Sequence, residues 1–519
     1  MSQLHADCLN EIFEYLDNNK NTLYSCLLVN HLWCAVSVRI LWRSIRNYRT
    51  LIICLPNKSK KILFENGISI LTSKPLLFNY VTFCKSVSFH EIDINIERLL
   101  KKQQSISIQS SKDNITQEIF RFLMSQIISL RKLIITEFTP ENKDMKFSFR
   151  HMKPFRYGNP TVPPLKTPKF SPENIMKILT ELRDRMLNNL SEFYCYSDTY
   201  PEFFYRLSQI CHTIQTLKIS LTTENISKEL IDLISVQKNL KNLYMLQLRY
   251  EVGLNDLLTR IPNTLINFTY HGINIKLTSL LVNTNLSNLQ ELKLYCNNYD
   301  LRIFNYNMVF DRFKNSDDSE CHEKSLSNLN NNLSTSTNIL NEFLENNGRN
   351  LKKFHINKYG YERSICTYCK NIRILKTNLT NNELYVLRNF FKAFPFLESI
   401  RICYHDLKFN EKFLFEDVVK YSPKNFHKLK LYYYNYNERA KSSLVPEELE
   451  LFLASWKSRV PQKPLSLVIT GYHTFIENDG NMKVIEKYTE LGTIKLVKKP
   501  IDNLYKYDGI VLDQLSNRY

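Results

Sequence analysis

Residues 288–298 read NLQELKLYCNN. Leu289, Leu292 and Leu294 stand in an LxxLxL arrangement, and the alternation through Lys293 is that of a strand buried on one side only. Related stretches recur as SLRKLIITEF (129–138), TIQTLKISL (213–221), NLKNLYMLQL (239–248), NLKKFHINKY (350–359), FLESIRICY (396–404) and NFHKLKLYYY (425–434). Taking the central apolar residue of each unit as a marker, Leu217, Leu243, Phe268 and Leu292 lie 26, 25 and 24 positions apart. The series goes on through Phe354, Leu375, Ile400 and Leu429, with Ile494 as its last expected member. Helical patterns such as ISKELIDLISV (226–236) and NELYVLRNFFKAF (382–394) fall between the markers. A unit of one strand and one helix cannot cover its own apolar edges, so such units must stack.

From residue 129 onward this pattern resembles leucine-rich repeats, whose period is about 20–29 residues. The resemblance implies an α/β class, an irregular solenoid of horseshoe shape over 129–519 with a target-binding concave face. The repeats are uneven: Asn297 keeps the amide that this family places where the backbone turns, whereas Thr222, Phe138 and His405 stand there elsewhere. An ordinary parallel α/β domain alternates strand and helix in a similar way and is the structural alternative. Loop insertions are expected near 139–174, which holds seven prolines, and near 314–338, a polar low-complexity tract that widens one marker interval to 62 positions. Residues 49–128 carry weaker signals, IICL, KSVSF and TQEIFRFLMSQI, and read as a linker with the first irregular repeats.

The first 48 residues have a different character. Leu9, Ile12, Phe13 and Leu16 mark one helical face with Asp7 as its expected cap, and DNNKN ends that helix. A second helix is predicted from near Thr22 through Leu28, and a third from about Leu32 through Trp33, Val36 and Ile40 to Leu41 and Trp42. A segment this short buries too little surface to be stable alone, so its apolar side chains must dock on the rest of the chain or on a partner. These residues resemble an F-box: Leu9, Glu11, Ile12, Phe13 and Leu16, then Leu28, Val29, Asn30 and Trp33, then Leu41 and Trp42. Asp7 and Cys8 replace the Leu-Pro pair that commonly opens that motif. The resemblance implies binding to a Skp-family adaptor, and through it to a cullin complex, with Leu9, Ile12, Phe13, Val29 and Trp42 as the adaptor contacts and Trp33 in the core.

Composition narrows the alternatives. The chain has 519 residues with 43% hydrophobic and 23% charged, ordinary globular usage, but 10 glycines against an average share of roughly 7%. Gly-rich phosphate loops are therefore disfavoured, and GxSxG, HExxH, P-loop and GxGxxG patterns are absent. The net charge of +18 invites a nucleic-acid reading, yet Lys and Arg are spread along the whole chain rather than clustered. Of 12 cysteines, Cys26, Cys34, Cys84 and Cys296 sit in apolar runs as small buried hydrophobes. Cys366 and Cys369 form a close pair without a second pair to complete a zinc site; Cys321 and His322 are the nearest candidates. No metal or cofactor is implied. With no apolar run of about 20 residues and no secretory pattern, the expectation is an intracellular chain of cytosol or nucleus, without membrane attachment.

The residue after each marker projects from the other side of its strand. Lys218, Tyr244, Lys293, His355, Lys376, Arg401 and Lys430 are the candidate target-binding residues there, with Tyr270 and Lys495 read into the same row. Such a ladder would favour an acidic or phosphorylated target; the plainer reading is a solvated lysine face. The function expected is a non-catalytic substrate-recognition subunit of an SCF-type ubiquitin ligase. A repeat scaffold unconnected to ubiquitin and a basic nucleic-acid-binding repeat protein are the alternatives.

Overall fold

The computed structural model describes residues 4–17, 19–45, 48–66, 68, 76–101, 108–135, 184–222, 225–247, 254–272, 285–296, 340–356, 362–379, 384–404, 411–433, 442–461, 463–471 and 474–499. The expected insertions at 139–174 and 314–338, and Asn297, lie outside these residues. The described residues form two compact units: one runs up to Leu221 and includes Ser227–Leu240, and the other holds Thr222–Ile226 and the residues from Lys241.

The first unit opens with α1 (Ala6–Glu14), α2 (Lys20–Cys26) and α3 (His31–Leu41). An amide starts two of them: Asn19 Oδ1 accepts from the Thr22 N–H at 3.3 Å and Asn30 Oδ1 from the Trp33 N–H at 2.9 Å. His5, not Asp7, is the cap of α1, and Asp7 sits in the first turn, where a carboxylate favours the helix dipole. Leu9, Phe13, Leu23, Cys26, Val36, Ile40 and Leu41 close a small core, and Trp33 meets Phe13 edge-on at 5.2 Å. This subdomain is fastened to the first strand and the turn before it. The Arg43 carbonyl accepts from the Lys85 and Ser86 N–H groups at 2.8 and 2.9 Å, and Trp42 packs on Tyr80 at 4.6 Å. Strands β1 (Ser86–Ser88), β2 (Lys132–Ile134), β3 (Glu192–Tyr196) and β4 (Thr216–Leu221) then pair in parallel, in chain order. KSVSF thus supplies β1, whereas IICL continues the helix Tyr48–Cys54, with Leu51 and Ile52 on its buried side.

In the second unit the strands are β5 (Asn242–Gln247), β6 (Asn267–Gly272), β7 (Glu291–Cys296), β8 (Lys353–Ile356), β9 (Ile374–Leu379), β10 (Ser399–Tyr404), β11 (Lys428–Tyr433), β12 (Leu465–Thr470) and β13 (Ile494–Lys499). Each pairs in parallel with the next. The markers are register partners throughout: Leu243, Phe268, Leu292, Phe354, Leu375, Ile400 and Leu429, followed by Leu467 and Leu496. The register corrects the expected series at two places. The PLSLVIT stretch forms β12, a repeat strand absent from that series, and the last marker is Leu496, because Ile494 pairs with Leu465 one step earlier on the same face. Ile494 and Leu496 differ by one side-chain period of two, so only the register separates them.

Buried amides tie neighbouring repeats at helix ends. Asn347 Oδ1 accepts from the Leu286 N–H at 2.6 Å while its Nδ2 donates to the Phe343 carbonyl at 3.0 Å. Asn481 Nδ2 donates to the Leu444 and Phe475 carbonyls, each at 2.9 Å. Gln237 does the same in the first unit, accepting from Ile214 N–H at 3.0 Å and donating to Cys211 and Leu233 carbonyls at 2.8 Å. Gly492, with φ of 67°, closes the helix Asp479–Glu490 in the left-handed conformation that a side chain resists.

Replacing Asn347 by Ala strands the Leu286 N–H in a buried site and should lower the unfolding free energy by about 1–3 kcal/mol in urea titrations. Lys424→Ala, on the surface, should stay within about 0.5 kcal/mol of the parent.

Candidate functional site

Two surfaces carry the candidate residues. On the N-terminal subdomain, Cys8 and Ile12 are exposed four residues apart on α1, Tyr15 is exposed at its end, and Leu4 is exposed just before it. Ile12 is 49% and Tyr15 88% accessible. The turn after α2 exposes Leu28 and Val29 at 88% and 56%. Of the five expected adaptor contacts, Ile12 and Val29 are therefore on the surface. Leu9 and Phe13 are not; they are buried in the subdomain's own core, because they face α3 while Ile12 faces away. Trp42 is half-buried against Tyr80. Leu9 and Phe13 thus pack within the subdomain, and Trp42 packs against the turn before β1. Tyr15 and Leu28 are the more exposed apolar groups, and the i, i+3 step from Ile12 is the sequence signal that points to Tyr15.

Arg43 fixes the presentation of α1. Its Nη1 donates to Glu14 Oε2 at 2.7 Å and its Nη2 to Oε1, a two-pronged pair linking the end of α1 to the residue after Trp42. The Arg43 hydrogen bonds hold the Glu14 carboxyl below its ordinary range.

The second surface is the strand face opposite the markers. In the second unit one row of direct register partners contains Tyr244, Thr269, Lys293, His355, Lys376, Arg401 and Lys430, then Val468 and Val497. Six of the expected target-binding residues therefore share one row. Tyr270 and Lys495 do not belong to it: Tyr270 sits one position on, buried with its hydroxyl on Gln247, and Lys495 sits two positions early, level with Ser466. Thr269 and Val497 hold the places assigned to them.

Individual members of the row differ. Lys293 is held by Glu291 at 2.8 Å, and the same carboxylate meets Lys353 at 3.5 Å. The Tyr295 hydroxyl lies 3.3 Å from His355 Nδ1, and the Lys376 ammonium reaches across β8 to within 4.9 Å of the Tyr295 ring centre. The Arg401 guanidinium carbon stands over Tyr432, 3.6 Å from its ring centre. Lys376 and Arg401 are only 3% and 9% accessible.

Lys218, the remaining expected residue, belongs to the first unit. It stands over the Tyr194 ring at 4.4 Å, opposite Lys132, which donates to the Tyr194 hydroxyl at 3.0 Å and pairs with Glu192 at 2.8 Å. Burial, and then the neighbouring Lys132 charge, push the Lys218 ammonium down to about 8.

Among the described residues no group of three or more His, Cys, Asp or Glu side chains converges as a metal site. Cys366 lies in the helix Glu362–Tyr368 and Cys369 just after it, its thiol packed so closely on Gly348 that an added Cβ would stand 3.0 Å away. Cys321 and His322 lie outside the described residues. Among the described residues no helix is long and apolar enough to cross a membrane.

No protein-family model and no curated protein sequence matches the chain. Among solved structures, the leucine-rich repeat-containing protein LegL7 from Legionella pneumophila is similar: 14% identical, with a TM-score of 0.35 over 61% of this chain and 93% of that one.

The Glu14–Arg43 pair makes a pH-dependent contribution. A depressed carboxylate stabilises above its unfolded value and loses that contribution as the pH falls through its folded value. Both groups are partly solvated, so Glu14→Gln should cost at most about 1 kcal/mol at pH 7. Urea midpoints of wild type and variant should converge as the pH is lowered below the ordinary carboxylate range.

Proposed function

We propose that this chain is a non-catalytic substrate receptor. Its F-box-like helices engage a Skp-family adaptor of a cullin-based ubiquitin ligase, and its strand–helix repeats hold a target protein. The observation that carries the reading is the exposed apolar set Ile12, Tyr15, Leu28 and Val29 on a subdomain whose own core is already closed by Leu9, Phe13 and Leu23. Apolar groups that stay in water after a core is complete gain roughly 25 cal/mol per Å² when a partner covers them, and the F-box resemblance names a partner that would do so.

This reading divides the labour. Transfer chemistry belongs to the partner enzymes; this chain raises the effective concentration of a bound target beside them, for which it needs two binding surfaces and no reacting group. The row on the strand face of β7–β11 is the surface assigned to the target, and its basic character favours acidic or phosphorylated partners.

Purified full-length protein should be captured by an immobilised Skp-family adaptor, and Ile12→Asp with Val29→Asp should weaken capture by at least about thirtyfold, the loss typical of a central interface residue. Both positions are exposed, so the double variant should unfold at the parent midpoint. No capture of the wild type, or equal capture of the double variant, overturns the reading.

A further inference from the structure

We propose that the groove between the helices Glu362–Tyr368 and Leu384–Ala393 docks an acidic peptide segment, one that carries an apolar side chain between two carboxylates. The groove belongs to the helix layer of the second unit, away from the strand face. It goes beyond the receptor reading and stands whether or not an adaptor binds the N-terminal helices.

The helices that follow the groove are joined by ion pairs. Arg388 Nε in the helix Leu384–Ala393 lies 2.9 Å from both carboxylate oxygens of Asp417 in the helix Glu411–Tyr421. Lys412 meets Glu448 of the helix Pro446–Lys457 at 3.2 Å, and Glu450 pairs with Lys487 of the helix Asp479–Glu490. Each of these steps sets an acid against a base.

One step earlier the pattern breaks. Arg363 in the helix Glu362–Tyr368 and Lys370 just after it line one side, Lys392 lines the other, and none of the three forms an ion pair with a described residue. Glu362 is the one carboxylate among the described lining residues, and even set against these cations it leaves two positive charges in excess. Lys370 Nζ donates to the Cys366 carbonyl, as lysines do near a helix C-terminus, and an ammonium keeps two further protons for an acceptor on the outside. A cavity of about 610 Å³ opens here, within the roughly 300–1,000 Å³ of ordinary binding sites. A negative partner would supply the counter-charge that the neighbouring steps find within the chain.

Between the charges the lining is apolar. Val386 is buried, Cys366 is half-buried, and the Tyr385 ring is 61% accessible. An exposed tyrosine beside an apolar wall is the kind of anchor that binding surfaces use, because the ring gains from being covered while its hydroxyl stays wet. Spacing then selects the occupant. Arg363 and Lys370 stand seven residues apart, about two helical turns or roughly 10 Å, too far for a single carboxylate to meet both. An extended peptide turns every second side chain to one face, so an acid–x–apolar–x–acid segment spreads its carboxylates over roughly 13 Å. Long cationic side chains on either wall cover that difference.

The test titrates the full chain, at fixed ionic strength, into a fluorescent peptide with two glutamates four positions apart and a leucine midway. Saturable binding is expected, with at least a tenfold loss when glutamines replace the glutamates, when alanine replaces the leucine, and in the double variant Arg363→Glu with Lys392→Glu. Tyr385→Ala should lose several-fold. Lys424→Glu with Lys457→Glu removes the same charge from exposed positions elsewhere and should bind as wild type. All substituted positions are exposed, so every variant should unfold at the parent midpoint. Absence of saturable binding, equal binding of the glutamine or alanine peptide, or an equal loss in the Lys424–Lys457 control overturns the proposal, the last by showing general attraction to a chain of charge +18. Self-association of the wild type that the groove variants abolish also overturns it, by giving the groove to a second copy. Adaptor capture should be untouched in the groove variants, so a failed receptor reading and a failed groove give separate results.

Discussion

The constraint on which the second unit depends is that each strand has only one way to bury its apolar residue: beside the corresponding residue of the next strand. Leu292 lies between Phe268 and Phe354, and Leu375 between Phe354 and Ile400, each fully buried. Sliding β7, β9, β10 or β11 by a residue would put its marker in the opposite row and a lysine or arginine in the core, a penalty of several kcal/mol for an unpaired charge. Apolar burial thereby enforces the register. Register, in turn, aligns the other face, so the basic row is a consequence of how the core is filled.

A face composed in this way concentrates what each strand contributes only once. One lysine after one marker is unremarkable chemistry, and a single solvated side chain contributes little. Stacked in register, His355, Lys376, Arg401 and Lys430 share a narrow band, and Tyr295 and Tyr432 keep the cations from fanning out into water. The same logic operates in the first unit on a smaller scale, where Lys132, Tyr194 and Lys218 meet across β2, β3 and β4, but there Glu192 is part of the cluster.

The N-terminal helices solve a different problem. They are too short to hold together on packing between themselves alone, and their additional support comes from Trp42 on Tyr80, the Arg43 carbonyl at the start of β1, and the Arg43–Glu14 pair. With α3 fastened in this way, Leu4, Ile12, Tyr15 and the Leu28–Val29 turn remain at the surface.

Much of this is legible in the residues themselves, because apolar spacing reports which side chains must leave water: the three opening helices, the alternation of strand and helix, and the markers from Leu217 to Leu429 all come from it. Spacing alone has no way to tell which of two like residues on one face is the partner, so it passes over β12 and takes Ile494 for Leu496. Nor does it tell which members of the apolar set Leu9, Ile12, Phe13 and Leu16 turn inward, and only packing against α3 buries Leu9 and Phe13 and leaves Ile12 in water. The sequence by itself determined that the chain must stack strand–helix units and carry excess positive charge, since hydrophobic periodicity and ionisable residues are local properties. Which cations stand together, and which apolar groups remain uncovered, was decided by the tertiary structure, because both depend on register and contact between residues far apart in the chain.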